Sequence, residues 1–230
     1  MMEHNTRKKK IRVQKNKWVQ LGIVTLTGVA MLLLLCLAGG KFYQKKQVVK
    51  MLELQREVWN KRPKIEEALL TPNPYSRPQG ALTKVHGVVV HYTANPGTTG
   101  WQNRNYFENL GITHETKASS HFIIGLDGTI IQCIPLDEIA YASNERNEDS
   151  IAIECCHPKK NGKFTKETYD SLLSLTAWLA VYYNLEKSDI IRHYDITGKI
   201  CPKYYVEHED KWLAFQNEVL EKMDEIKKKE

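Results

Sequence analysis

The chain has 230 residues and a formal net charge of +6, a length that suits one ordinary domain with an appendage and leaves little room for a second enzyme. The excess charge is local: Arg7, Lys8, Lys9, Lys10, Arg12, Lys15 and Lys17 stand against Glu3 alone, and the rest of the chain is balanced. A nucleic-acid binder needs its basic face on the domain itself, so that class is set aside.

Residues 18–40 contain no charged side chain, and the run 21–38 is nearly all apolar. About 20 such residues cross the hydrocarbon core as a helix. A cleaved signal peptide is the alternative, with Ala38-Gly39-Gly40 as small residues for cleavage. Its apolar stretch usually runs to only about 7–15 residues, so a retained transmembrane anchor is preferred. Cys36 fits a lipoprotein less well, because Leu35 precedes it where a small residue is expected. The tail is more densely basic than Lys41, Lys45, Lys46, Lys50 and Arg56 beyond the span, which keeps the N-terminus in the cytoplasm and the remainder outside the cell membrane. The expected layout is a basic cytoplasmic tail over 1–17, an anchor over 18–40, a stalk and linker over 41–78, and a domain over 79–230.

Within the stalk, 41–61 reads as a helix carrying Val48, Val49, Leu52 and Trp59, too short for the sustained heptads of a coiled coil. Pro63 ends it. A second short helix is expected over 65–70, and Pro72, Pro74 and Pro78 mark 71–78 as an extended linker. Beyond Ala81 the pattern predicts strands over 85–92, 121–126, 129–134, 150–155 and 190–193, with Asp127-Gly128 as a hairpin turn. Helices are predicted over 101–110, 166–184 and 207–228. Strands interleaved with helices define an α/β domain: a mixed central β-sheet flanked by helices.

Cys133, Cys155, Cys156 and Cys201 fall in the exported part. If Cys201 binds metal, the other three cannot all pair with one another. Adjacent Cys155 and Cys156 point to opposite faces of a strand, and a disulfide from Cys133 to one of them stays open.

Three segments end strands with ionisable or metal-binding groups: His91 after three valines, Glu154 after Ser150-Ile151-Ala152-Ile153, and His193, with Cys201 eight residues later across a turn containing Gly198. Zinc takes imidazole nitrogen and thiolate sulfur, and a catalytic site uses three protein ligands with a fourth position open. The chain can fold back at Gly198 to bring His193 and Cys201 to one ion, whereas His91 must come from a distant strand.

Taken in order, His91-Tyr92-Thr93, the hairpin from Ser120-His121-Phe122 to Asp127-Gly128-Thr129, the strand ending Ile153-Glu154, and the loop His193-Tyr194-Asp195 to Gly198-Lys199-Ile200-Cys201-Pro202 resemble one family. It is the zinc-dependent N-acetylmuramoyl-L-alanine amidases of phage endolysins, bacillar autolysins and peptidoglycan recognition proteins. The resemblance covers about residues 71–205. It implies Zn2+ on His91, His193 and Cys201, Glu154 as the acid/base that activates water, Lys199 as the oxyanion stabiliser, and peptidoglycan as substrate. This chain departs from the pattern in two places. Some relatives carry a catalytic Tyr where Ser120 stands, and others carry Trp-His where Tyr141-Ala142 stands, in a loop expected to touch substrate.

Other readings remain. A non-catalytic muropeptide-binding module arises in relatives that lack a ligand. A cysteine hydrolase would pair Cys155 or Cys156 with His121, with no motif to support it. His121 itself is expected to orient neighbours, and Asp195 either to orient a ligand or to bond its own loop. His86, His114, His157 and His208 sit in no such context.

Overall fold

The computed structural model describes residues 45, 46, 49, 53 and 55–228. The expected tail over 1–17 and span over 18–40 lie outside the described residues. Among those described, no helix is long and apolar enough to cross a membrane.

Six strands form one sheet: β1 (Glu66–Glu67), β2 (Gly87–Tyr92), β3 (Phe122–Ile124), β4 (Ile130–Gln132), β5 (Ser150–Cys155) and β6 (Ile190–Arg192), in the spatial order β1-β4-β3-β5-β2-β6. Every neighbouring pair is parallel except β3 and β4, the hairpin closed at Asp127-Gly128, so the sheet is mixed as expected. Gly128 has a φ of 80°, and the Asp127 carboxylate accepts the Thr129 N–H.

The helices are α1 (Gly100–Thr113), α2 (Lys166–Tyr183), α3 (His193–Thr197), α4 (Lys203–Glu207) and α5 (Glu209–Lys227). Thr99 and Gln102 form a reciprocal capping box at the start of α1, and the Thr165 side chain accepts the Thr168 N–H at the start of α2. Such caps satisfy backbone donors that the first turn leaves without partners.

The period of two along the strands sorts side chains onto two faces. Val88, Val90, Phe122, Ile124, Ile151 and Ile153 pack against Leu172, Leu175 and Trp178 of α2 and Phe215 and Val219 of α5. Ile123, Ile131 and Cys133 pack on the other face with Phe107 and Leu110 of α1. Cys155 belongs to the first cluster and Cys156 to the second, the opposite orientation expected of adjacent strand residues. The four cysteines among the described residues, Cys133, Cys155, Cys156 and Cys201, are buried free thiols, so the disulfide left open for Cys133 is absent. By the same alternation His91 shares the face of Val89, and Glu154 that of Ala152, turned away from α2 and α5.

The N-terminal segments depart from expectation. The stretch 65–70 is extended rather than helical: Glu66–Glu67 pairs with β4, and the Ala68 and Leu70 N–H groups donate to the Gln132 and Cys133 carbonyls. A two-turn helix nucleates poorly alone, whereas a sheet edge offers ready partners. The stretch 71–78 is pinned to the fold by a bidentate Arg77–Glu138 pair at 2.9 and 2.8 Å. Residues 55–60 are helical, with Val58 buried and its carbonyl accepting the Trp178 indole N–H at 3.0 Å. The compact unit therefore begins at Gln55, upstream of the expected boundary at 79.

Candidate active site

The parallel register of β2 assembles the site. His91 lies opposite Glu154 across the β2–β5 pair, and Val90 lies opposite Arg192 across β2–β6, so His91 stands beside the residue that follows β6, His193. The His91 and His193 rings are 4.8 Å apart, edge to face. Strand C-termini in such sheets open onto one rim, where ligands bind.

Cys201 reaches the same point because the chain reverses after α3. Gly198 closes that helix with a φ of 76°, a conformation glycine adopts without steric cost. The Tyr194 N–H then donates to the Cys201 carbonyl at 2.9 Å. Arg192, almost fully buried, braces the turn: it pairs with Asp195 at 2.7 Å and with Glu209 at 2.5 Å, and donates to the Tyr205 carbonyl at 2.9 Å. Asp195 also accepts the Arg192 N–H at 2.8 Å. Of the two roles open to it, Asp195 therefore bonds its own loop.

One donor atom each from His91, His193 and Cys201 lies within 4.8 Å of the others, and all three residues are buried. Their chemistry fits a metal ion. Burial, with His193 and Lys199 nearby, holds His91 well below the usual imidazole range; burial and Lys199 lower His193. Both rings are thus neutral, as ligation requires. His193 Nδ1 is enclosed without a hydrogen-bond partner. Burial, aided by the Glu154 charge, pushes the Cys201 thiol up to about 12, and a coordinating cation reverses that preference by binding the thiolate.

Glu154 Oε2 is likewise enclosed and unpartnered. Burial raises its carboxyl to about 7, against the opposing pull of Lys199. Lys199 is exposed at the rim. All five residues line one cleft of about 510 Å³, together with Thr93, Lys117, Tyr141, Ala142 and Asn144. Tyr141 and Ala142, the substituted loop pair, thus face the cleft. Ser120 is buried elsewhere, donating to the Phe122 carbonyl at 2.8 Å.

His121 does not line the cleft. Its Nε2–H donates to the Glu138 carbonyl at 2.9 Å, and its Nδ1 accepts the Ala152 N–H at 3.0 Å. With both nitrogens spent on backbone it orients neighbours and has none left for a cysteine. Burial raises the Cys155 thiol well above its usual range and pushes Cys156 up to about 12, which also argues against a nucleophilic role for either.

The residues not anticipated from sequence are Lys117, Ser143 and Asn144. Lys117 Nζ lies 5.5 Å from the Tyr141 ring. Ser143 and Asn144 begin a short 3-10 turn with no periodicity to flag it. The one signal available was their position just after the loop already expected to touch substrate.

Fold and donor set together define a class: an α/β domain with three convergent donors able to hold a metal ion at the ends of its parallel strands. The chain belongs to the N-acetylmuramoyl-L-alanine amidase family, whose model matches residues 81–204. It is 34% identical over 170 residues to the N-acetylmuramoyl-L-alanine amidase CwlL of Bacillus licheniformis, covering 68% of this chain and 46% of that protein. To BlyA of Bacillus subtilis (strain 168) it is 34% identical over 172 residues, covering 66% of this chain and 45% of that protein. The chain thus spans somewhat less than half the length of these relatives. The solved structure of the catalytic domain of XlyA, also of Bacillus subtilis, superposes with a TM-score of 0.57 at 26% identity, covering 68% of this chain and 99% of that one.

The buried neutral His121 makes stability depend on pH. Its folded pKa is lowered to about 4, whereas the unfolded ring titrates near 6.5, so the unfolded state binds more protons between these values. His121 therefore favours folding fully above about pH 6.5, and this contribution is lost as pH falls toward 4. In chemical denaturation, the penalty of His121→Gln should shrink by up to about 3 kcal/mol between pH 7 and pH 4. A penalty constant across that range would contradict the assignment.

Proposed function

We propose that this chain hydrolyses the amide bond between N-acetylmuramic acid and L-alanine in peptidoglycan, with a zinc ion held by His91, His193 and Cys201. The observation that carries this reading is the convergence of those three buried donors within 4.8 Å, in the same cleft as the unpartnered carboxylate oxygen of Glu154. The names of the relatives, N-acetylmuramoyl-L-alanine amidases, supply the bond.

When bound, zinc polarises the scissile carbonyl and lowers the pKa of water toward about 7. Glu154 takes a proton from the attacking water at its enclosed Oε2 and returns it to the leaving amine. A carboxyl raised to about 7 by burial exchanges a proton in either direction near neutral pH. Lys199, at the rim and free of ion pairs among the described residues, brings positive charge to the carbonyl oxygen as it becomes negative.

Residues 18–40 are read as a retained membrane anchor, with 1–17 in the cytoplasm and the domain that begins at Gln55 outside the membrane. The charge-free apolar run supports this, and so does a substrate that lies outside the membrane.

Two measurements test these readings. With purified full chain in detergent, release of L-alanine N-termini from sacculi should stop with chelator and with Cys201→Ala. Glu154→Gln should keep the zinc and lose about 10²-fold to 10⁴-fold in rate. Zinc uptake without release would leave a muropeptide-binding module instead; release that survives Cys201→Ala and chelator would sink the metal mechanism. On intact cells, added protease should degrade the domain, and a protected domain would reverse the orientation.

A further inference from the structure

Each histidine of the site is gripped at Nε2 by the same turn. His91 Nδ1 lies 3.8 Å from Cys201 Sγ, while His91 Nε2 lies 3.1 Å from Ser143 Oγ. His193 Nε2 lies 3.0 Å from Asn144 Oδ1, while its Nδ1 is enclosed without a partner. A carboxamide oxygen only accepts, so His193 carries its proton on Nε2 and leaves the Nδ1 lone pair free. The Ser143 hydroxyl can donate or accept, and by accepting from His91 Nε2–H it selects the tautomer whose Nδ1 lone pair faces the sulfur.

These two acceptors are consecutive residues of one turn, and the turn is itself held. Asn147 Oδ1 accepts the N–H groups of Ala142 and Ser143 at 3.0 and 2.6 Å, and the Ser143 carbonyl accepts the Arg146 N–H at 3.0 Å. Asn144 has a φ of 52°, in the left-handed region that asparagine tolerates better than most side chains. That backbone kink lets successive residues address two different rings.

We propose that Ser143 and Asn144 are positioning residues that lock His91 and His193 in the tautomer and orientation of Nδ1 ligands, and thereby set the affinity of the site for its metal. The proposal rests on the zinc reading given above. Partners of this kind fix ring orientation and raise ligand basicity, and their loss weakens metal binding by about 10–100-fold.

The test is zinc affinity, measured by chelator competition on the full chain in detergent for wild type, Ser143→Ala, Asn144→Gly and Asn144→Asp. Glycine removes the acceptor without straining the left-handed backbone. Aspartate keeps an acceptor oxygen at the same point. Ser143→Ala and Asn144→Gly should bind zinc about 10–100-fold more weakly, Asn144→Asp should return to within a few-fold of wild type, and the metal-free melting temperatures should coincide. With cobalt(II) in place of zinc, the visible bands should shift in Asn144→Gly and return in Asn144→Asp. Unchanged zinc affinity in Asn144→Gly, or a loss shared equally by Asn144→Asp, would overturn the positioning role while leaving the metal site intact. Wild-type protein that takes up no zinc would overturn both.

Discussion

The site depends on one constraint, the parallel pairing of β2 with β5 on one side and β6 on the other. Two fixed registers, Val90 opposite Ile153 and Val90 opposite Arg192, carry His91, Glu154 and His193 to a common rim. A slip of one residue in either pairing would send a functional side chain to the opposite face, into the helices that cover the core. The wholly buried valines Val88, Val89 and Val90 resist such a slip, because apolar cover on both faces fixes the strand in place. Core packing and site geometry are therefore a single specification, written in the same six residues of β2.

Burial then determines the chemistry. The enclosure that keeps both histidines neutral also raises the Glu154 carboxyl and the Cys201 thiol, so the imidazoles stand ready to ligate while the thiol gives up its proton only to a cation that binds the thiolate. Lys199 opposes the shift at Glu154 and Cys201 and reinforces it at His91 and His193. One exposed ammonium thus biases both imidazoles toward the neutral form and both Glu154 and Cys201 toward the anion, the forms that a cation prefers. His121, two strands away, shows what the same burial does when backbone takes both nitrogens: a ring with no capacity left for ligand or substrate.

Much of this could be read from the chain before any coordinates. The strand over 150–155 matched β5 to the residue, because alternation of Ile151 and Ile153 with Ala152 and Glu154 is a direct imprint of a sheet with two different faces. The three donors, Glu154 and Lys199 came from motif order, since nothing in spacing alone tied His91 to the pair His193 and Cys201. What was not legible lacks a local signature. β1 is two glutamates with no apolar alternation, and it is a strand only because β4 offers it hydrogen bonds. α3 and α4 are five residues each, shorter than a periodic pattern needs. Ser143 and Asn144 are ordinary turn residues whose role exists only in relation to rings 52 and 49 positions away.

The chemistry of the cleft turns on whether His91, His193 and Cys201 bind one ion. X-ray absorption at the zinc edge on the loaded full chain measures that directly. Two nitrogens at about 2.0–2.1 Å and one sulfur at about 2.3 Å are expected, with the sulfur lost in Cys201→Ser. A zinc shell made of nitrogen and oxygen alone in the wild-type protein would contradict the assignment.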